Sequence, residues 1–177
     1  LDFENLTKDN IYVLESPILS NSQFEKFTVF FKDSLKVLDC TFDVQTNLKK
    51  RLDQLCSEAE IAVREGCKHL ILSDKKISEK KAAIPMILAF GAINSKLVNL
   101  GIRGFASINV QTGEVLDTHS FAVLLGIGAT IINPYLVFDS IYQRYEKKLF
   151  GKFSYEECIQ RYIKSVDNGL LKIMSKM

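Results

Sequence analysis

One pattern recurs four times along this chain: a short run rich in β-branched and aromatic residues, then a longer stretch with apolar residues at helical spacing. The units begin near residues 36, 69, 105 and 129. A strand followed by a helix cannot fold back as a hairpin, so each crossover returns the chain to the same edge with right-handed sense and the strands pair in parallel. The spacing therefore predicts an α/β fold, in which four consecutive βα units amount to half of a (β/α) barrel. The expected architecture is a partial, degenerate barrel-like domain over 36–177, ending in helices. A less regular N-terminal arm over 1–35 packs on it and carries a helix from Ser22 to Phe31.

In the first unit, Lys36 to Val44 reads as a strand. Asn47 or Thr46 caps a helix running to about Glu65 and ended by Gly66, with Leu48, Leu52, Leu55, Ala59, Ala62 and Val63 as its buried stripe. His69–Ser73 is a continuous apolar run of the kind covered on both faces. Asp74 to Lys81 is a polar loop, and a helix follows from about Ala83 to Asn99, with Pro85 in its first turn and Gly101 near its stop. Gly91 inside that helix implies close packing against a neighbour. Phe105 to Val110 is the third strand, Gln111 to Glu114 a turn, and Asp117 the cap of a short helix ending at Gly126 or Gly128. Thr130 to Asn133 is the fourth strand, stopped by Pro134. Helices are expected from Leu136 to Phe150 and, capped by Ser154, from Tyr155 to the end.

At 177 residues, 47% of them apolar, the chain can bury a substantial core, and no apolar run approaches the roughly 20 residues of a membrane helix. A net charge of +2, spread evenly, argues against a nucleic-acid partner. Cys40, Cys56, Cys67 and Cys158 show neither a C-x-x-C pair nor the density of a disulfide scaffold; they read as reduced, core-packing thiols of a cytoplasmic protein. The first residues carry no initiator Met and no signal peptide, and the last carry no charged tail, which suggests a piece of a larger chain.

No catalytic constellation is complete. Ser73 and Asp74 end the second strand and Asn133 ends the fourth, at the edge where barrel enzymes place ligand groups, although turn and cap chemistry explains the same residues. Gly126-Ile-Gly128 invites a phosphate-loop reading, but the glycines follow a helix and precede a strand, which favours a helix C-cap. Arg103 can clamp a carboxylate or phosphate, or pair with a neighbouring domain. His119 with Asp117 and Glu114 forms either a buried polar cluster or an acid/base set. His69 and His119 lack the neighbours of a metal site, and no metal ligands are assigned.

Several segments together resemble a known family. Leu55-Cys-Ser-Glu-Ala-Glu60, Leu70-Ile-Leu-Ser-Asp74, Ile84-Pro-Met-Ile-Leu-Ala-Phe-Gly-Ala92, Thr112-Gly-Glu114, Asp117-Thr-His119, Leu124 to Ala129 and Asn133-Pro-Tyr-Leu136 are similar to the central domain of the glutamate synthase large chain. The likeness runs from about Ser16 to Met177. It departs from the family's expected pattern at Ala92 to Lys96 and at Thr118, where histidines are expected, at Lys75, where an arginine is, and at Ile127, where a tyrosine is.

The resemblance implies a non-catalytic linker between a glutaminase domain and an FMN-binding synthase domain of one parent chain. That parent makes L-glutamate from L-glutamine and 2-oxoglutarate, using FMN, an iron-sulfur cluster and NADPH or ferredoxin, in some cases with a small electron-transfer subunit. None of those cofactors is expected within this segment. Ile18, Leu19 and Ser20 resemble a stretch beside the ammonia tunnel. The rival reading is a self-standing phosphate- or flavin-binding enzyme domain that uses Ser73, Arg103, Gly126, Gly128 and Asn133 at one edge of the sheet.

Overall fold

The computed structural model describes residues 12–177, so the first eleven residues of the expected arm lie outside the described residues. Six strands and six α-helices make up the described fold: α1 (Asn21–Phe30), β1 (Leu35–Asp39), β2 (Thr41–Asp43), α2 (Leu48–Arg64), β3 (His69–Ser73), β4 (Lys81–Ala83), α3 (Met86–Asn99), β5 (Ser107–Gln111), α4 (Thr118–Gly126), β6 (Ile132–Asn133), α5 (Tyr135–Glu146) and α6 (Tyr155–Met174). The main sheet has the order β1-β3-β5-β6 and every pair in it is parallel. Neighbours in space are therefore successive units in sequence, as in a barrel wall, but the sheet is open. Beyond β6 the backbone at Ile18 bridges Ile132 in parallel, with Ile132 N–H donating to Pro17 O at 2.8 Å and Leu19 N–H to Ile132 O at 3.0 Å. The arm thus enters the sheet at its far edge.

Alternation along the strands sends side chains to two cores. Leu38, Leu70, Leu72, Ile108, Val110 and Ile132 join the large core with the buried sides of α2, α3, α4 and α6. On the opposite face Ile71 and Ile131 pack under Leu19, Phe24 and Phe27. That second face corresponds to the lumen of a barrel; here α1 covers Ile71 and Ile131, while Val37 at the β1 edge stays 52% exposed. The helix α1 begins with a capping box, in which Ser20 accepts from Gln23 N–H while the Gln23 side chain accepts from Ser20 N–H.

Three βα units stop their helices in the same way. After α2, α3 and α4 the glycines Gly66, Gly101 and Gly128 adopt φ of 94°, 69° and 109°, and the next residue donates back into the last turn: Cys67 to Ala62, Ile102 to Leu97 and Ala129 to Leu124. The C-cap reading of Gly126-Ile-Gly128 is therefore what the backbone does, with Gly128 as the left-handed residue.

Several expectations need correction. The stretch Lys36 to Val44 is two strands in two sheets. Asp39 Oδ1 accepts both the N–H (3.1 Å) and the hydroxyl (2.7 Å) of Thr41, which turns the chain at Cys40 and sends β2 to pair antiparallel with β4. The expected loop 74–81 consequently ends in a strand, and α3 starts at Met86, after Pro85. Phe105 belongs to a 3-10 turn and is 70% exposed; the third strand begins at Ser107. The fourth strand shrinks to Ile132–Asn133, and α5 ends at Glu146, short of Phe150. A Cβ on Gly91 would meet nothing within 4 Å, so close packing does not explain that glycine.

Candidate functional site

Each parallel strand ends on a polar residue, and the register places these residues side by side: Asp39 beside Ser73, Ser73 beside Gln111, Gln111 beside Asn133. All four are two residues on from side chains of the α1-covered face, so they form one row at the C-terminal end of the sheet, where barrels carry their chemistry. Their donors run in one direction. Ser73 Oγ donates to Gln111 Oε1 at 2.9 Å, Gln111 Nε2 to Asn133 Oδ1 at 3.1 Å, and Asn133 Nδ2 to both Leu19 O and Asn21 Oδ1 at 3.0 Å. Asn133 is fully buried and Ser73 nearly so. A cleft of about 360 Å³ lies between this row and α1, bordered by Phe24, Val37, Ile71 and Lys75.

Behind the row, Asp74 is fully buried and accepts from Thr112 Oγ1 at 2.5 Å and from Gly113 N–H at 3.1 Å. It therefore fixes the turn after β5. Burial, with the Asp74 carboxylate close by, pushes the Tyr135 hydroxyl up to about 12. At the outer end of the row burial alone would raise Asp39, but its bonds from Thr41 and the ammonium groups of Lys76 (3.6 Å) and Lys81 (3.9 Å) outweigh that and hold it below the usual carboxylate range.

The sequence candidates divide between the two ends of the sheet. Ser73, Asp74 and Asn133 share the C-terminal end. Arg103 precedes β5 at the other end, where it donates to Asn94 Oδ1 (2.6 Å), Ala106 O (2.8 Å) and Gly128 O (3.1 Å). Arg103, Gly126 and Gly128 therefore do not join Ser73 and Asn133 in one pocket, because β5 separates them by its whole length. The expected Glu114, Asp117 and His119 cluster is also dispersed. Glu114 Oε2 accepts from Met86 N–H at the start of α3 (2.9 Å), Asp117 caps α4 through Ser120 N–H, and His119 is exposed. Ile18, Leu19 and Ser20 are buried in this domain, with Ile18 bordering a groove of about 900 Å³ between the arm and α6.

Gln111, Thr112 and Asn21 are the members of the row and its support that sequence reasoning missed. The available signal was the polar residue closing each apolar strand, which marks Gln111 as the partner of Ser73 and Asn133.

A family model described as the glutamate synthase central domain matches residues 2–177. The chain belongs to that family. It is 42% identical over 177 residues to the glutamate synthase [NADPH] large chain of Azospirillum brasilense, covering 98% of this chain and 12% of that protein. It is 38% identical to the glutamate synthase [NADPH] large chain of Bacillus subtilis and 39% identical to the chloroplastic ferredoxin-dependent glutamate synthase of Oryza sativa, each time over 93% of this chain and 11% of the relative. The chain thus spans about an eighth or less of the curated relatives it matches. In this member of the glutamate synthase central domain family, the strand tips that barrel enzymes devote to ligands bind one another and the arm. Among the described residues no group of three or more His, Cys, Asp or Glu side chains is placed to hold a metal ion, and no helix is long and apolar enough to cross a membrane.

Proposed function

We propose that this domain is a scaffold within a longer glutamate synthase chain, holding a glutaminase domain and an FMN-binding synthase domain at fixed separation and helping to wall the ammonia path between them. The parent takes L-glutamine and 2-oxoglutarate to L-glutamate in the cytoplasm, with an iron-sulfur cluster and NADPH or ferredoxin as the route for electrons. Relatives named for NADPH and relatives named for ferredoxin both match this chain, so the family membership supports either donor. Walling matters chemically, because ammonia that escapes to water is protonated and lost as a nucleophile.

The observation that carries the reading is the one-way hydrogen-bond row from Ser73 to Leu19. Its polar groups are already spent on internal partners, and it ties the Ile18–Ser20 segment, proposed to lie beside the ammonia path, rigidly to the sheet. Calorimetry of the domain with FMN and with a sugar phosphate tests this. The expected result is no saturable micromolar binding. Saturable binding lost on Ser73→Ala or Asn133→Ala would instead support an enzyme domain using that end of the sheet.

A further inference from the structure

The smaller core has a polar centre. Asn109 on β5 is in register with Ile71 on β3, and the pairing of Val110 with Ile132 sets Ile131 on its other side. Both isoleucines lie beneath Leu19, Phe24 and Phe27, so a fully buried asparagine sits under the middle of α1. Its Nδ2 donates to Leu70 O and to Ser107 Oγ, each at 3.2 Å, and the carbonyl acceptor fixes which end of the amide carries the nitrogen. Oδ1 is sealed from solvent and has no hydrogen-bond partner among the described residues. A leucine would fill nearly the same space without that penalty, since a buried acceptor lacking a donor gives up its hydration and gains nothing in exchange.

Only α1 has to move for water to reach Oδ1. The helix is pinned at both ends: Asn133 Nδ2 holds Leu19 O and Asn21 Oδ1, and Lys68 N–H donates to Ser34 O at 2.8 Å. Between the pins, among the described residues, no hydrogen bond or ion pair joins residues 22–31 to the sheet. Phe24 and Phe27 rest on it by apolar contact, and Phe27 and Phe31 by ring contact with His69. We propose that α1 is a lid over the inner face of the sheet and that Asn109 sets how readily it lifts. Opening raises residues 22–31 between the two pins, hydrates Oδ1 and bares Ser107, Asn109 and Gln111, a file of hydrogen-bonding side chains along one face of β5. The large core on the other face stays closed. The lid leaves the scaffold reading untouched, because Ile18, Leu19 and Ser20 remain on the sheet side of the first pin.

Peptide-resolved hydrogen exchange on the intact protein tests the lid. Amides of residues 24–31 are expected to be at least about tenfold less protected than those of 69–73, because the helix opens without the sheet. Asn109→Leu removes the unpaired acceptor and should raise protection over 24–31 about tenfold. Asn109→Asp adds no apolar surface and places there a carboxylate that an open lid hydrates, so protection over 24–31 should fall by at least about tenfold. Equal protection of the two segments in the unaltered protein overturns the lid. So does a change over 69–73 in the variants with none over 24–31, which would mean that Asn109 supports the sheet alone. If the Asp variant does not fold, the Leu variant decides by itself.

Discussion

Asn133 reaches back over 114 residues of sequence to donate to the carbonyl of Leu19, and this bond locks the arm onto the last strand of the sheet. The same amide nitrogen holds Asn21, and the amide oxygen receives Gln111. Asn133→Ala removes all three contacts and leaves Gln111 Nε2 and Leu19 O underused. A loss of about 3 kcal/mol is expected from such buried polar groups. Hydrogen exchange at Leu19 and Ser20 should quicken more than exchange in β3. Equal acceleration in both would mean that Asn133 supports the sheet as a whole.

His69 gives the arm contact a pH dependence. Its ring lies 4.0 Å from Phe31 and 5.4 Å from Phe27, centroid to centroid, with Nδ1 2.8 Å from Ser107 Oγ. Burial, and then the neighbouring Lys68, lower its pKa from the usual 6.5. A depressed folded pKa means the unfolded chain binds the proton more readily, so the contribution is fully present above 6.5 and is lost as pH falls below 6.5 through the folded value. Melting temperature should drop between about pH 7 and about pH 5, and a His69→Gln variant should flatten that part of the profile.

Where α6 crosses α4 the Thr118 side chain fills the space that a side chain at Gly169 would need. A Cβ at Gly169 would sit 2.6 Å from Thr118 Cγ2 and 2.7 Å from its Oγ1. Helix propensity alone favours Gly169→Ala by about 1 kcal/mol, but overpacking costs about 1–3 kcal/mol, so the variant should melt lower. Trimming the obstacle in a Thr118→Ala/Gly169→Ala pair should recover most of the loss, and additive effects would show that the contact is softer than it looks.

Cys40 should be chemically silent. It is fully buried at the joint between β1 and β2, and burial pushes its thiol up to about 12, so almost no thiolate exists at neutral pH. A thiol-disulfide reagent should modify it only at the rate of global unfolding. Faster labelling would reveal local opening of the β2–β4 ribbon.

The legible parts of the sequence were those governed by local rules. Asn47, Asp117 and Ser154 announce their helices because a short polar side chain satisfies free N–H groups at a helix start, and each caps where expected. The βα order dictated parallel pairing for the same local reason. Features set by tertiary contact were not legible. The break at Cys40 is held by the pairing of β2 with β4 and by Ile84 N–H donating to Cys40 O, and only the bond from Thr41 to Asp39 beside it is local. Likewise α3 starts without a cap of its own and borrows Glu114 from 28 residues away, which left Glu114 looking like a partner for His119. Gln111 looked like a turn residue because its role appears only once β3 and β6 stand on either side of it.

One helix lining the inner wall, with its own small aromatic cluster, gives the molecule two unequal seams. The thinner seam, beneath Phe24 and Phe27, is the weak layer: heat or denaturant should peel α1 away first, while the outer helices stay clasped around the strands. Strain reaching α1 would then be absorbed locally, like a hinge leaf lifting from its plate, while the bond from Asn133 keeps Leu19 seated on the last strand and the rest of the domain keeps its spacing.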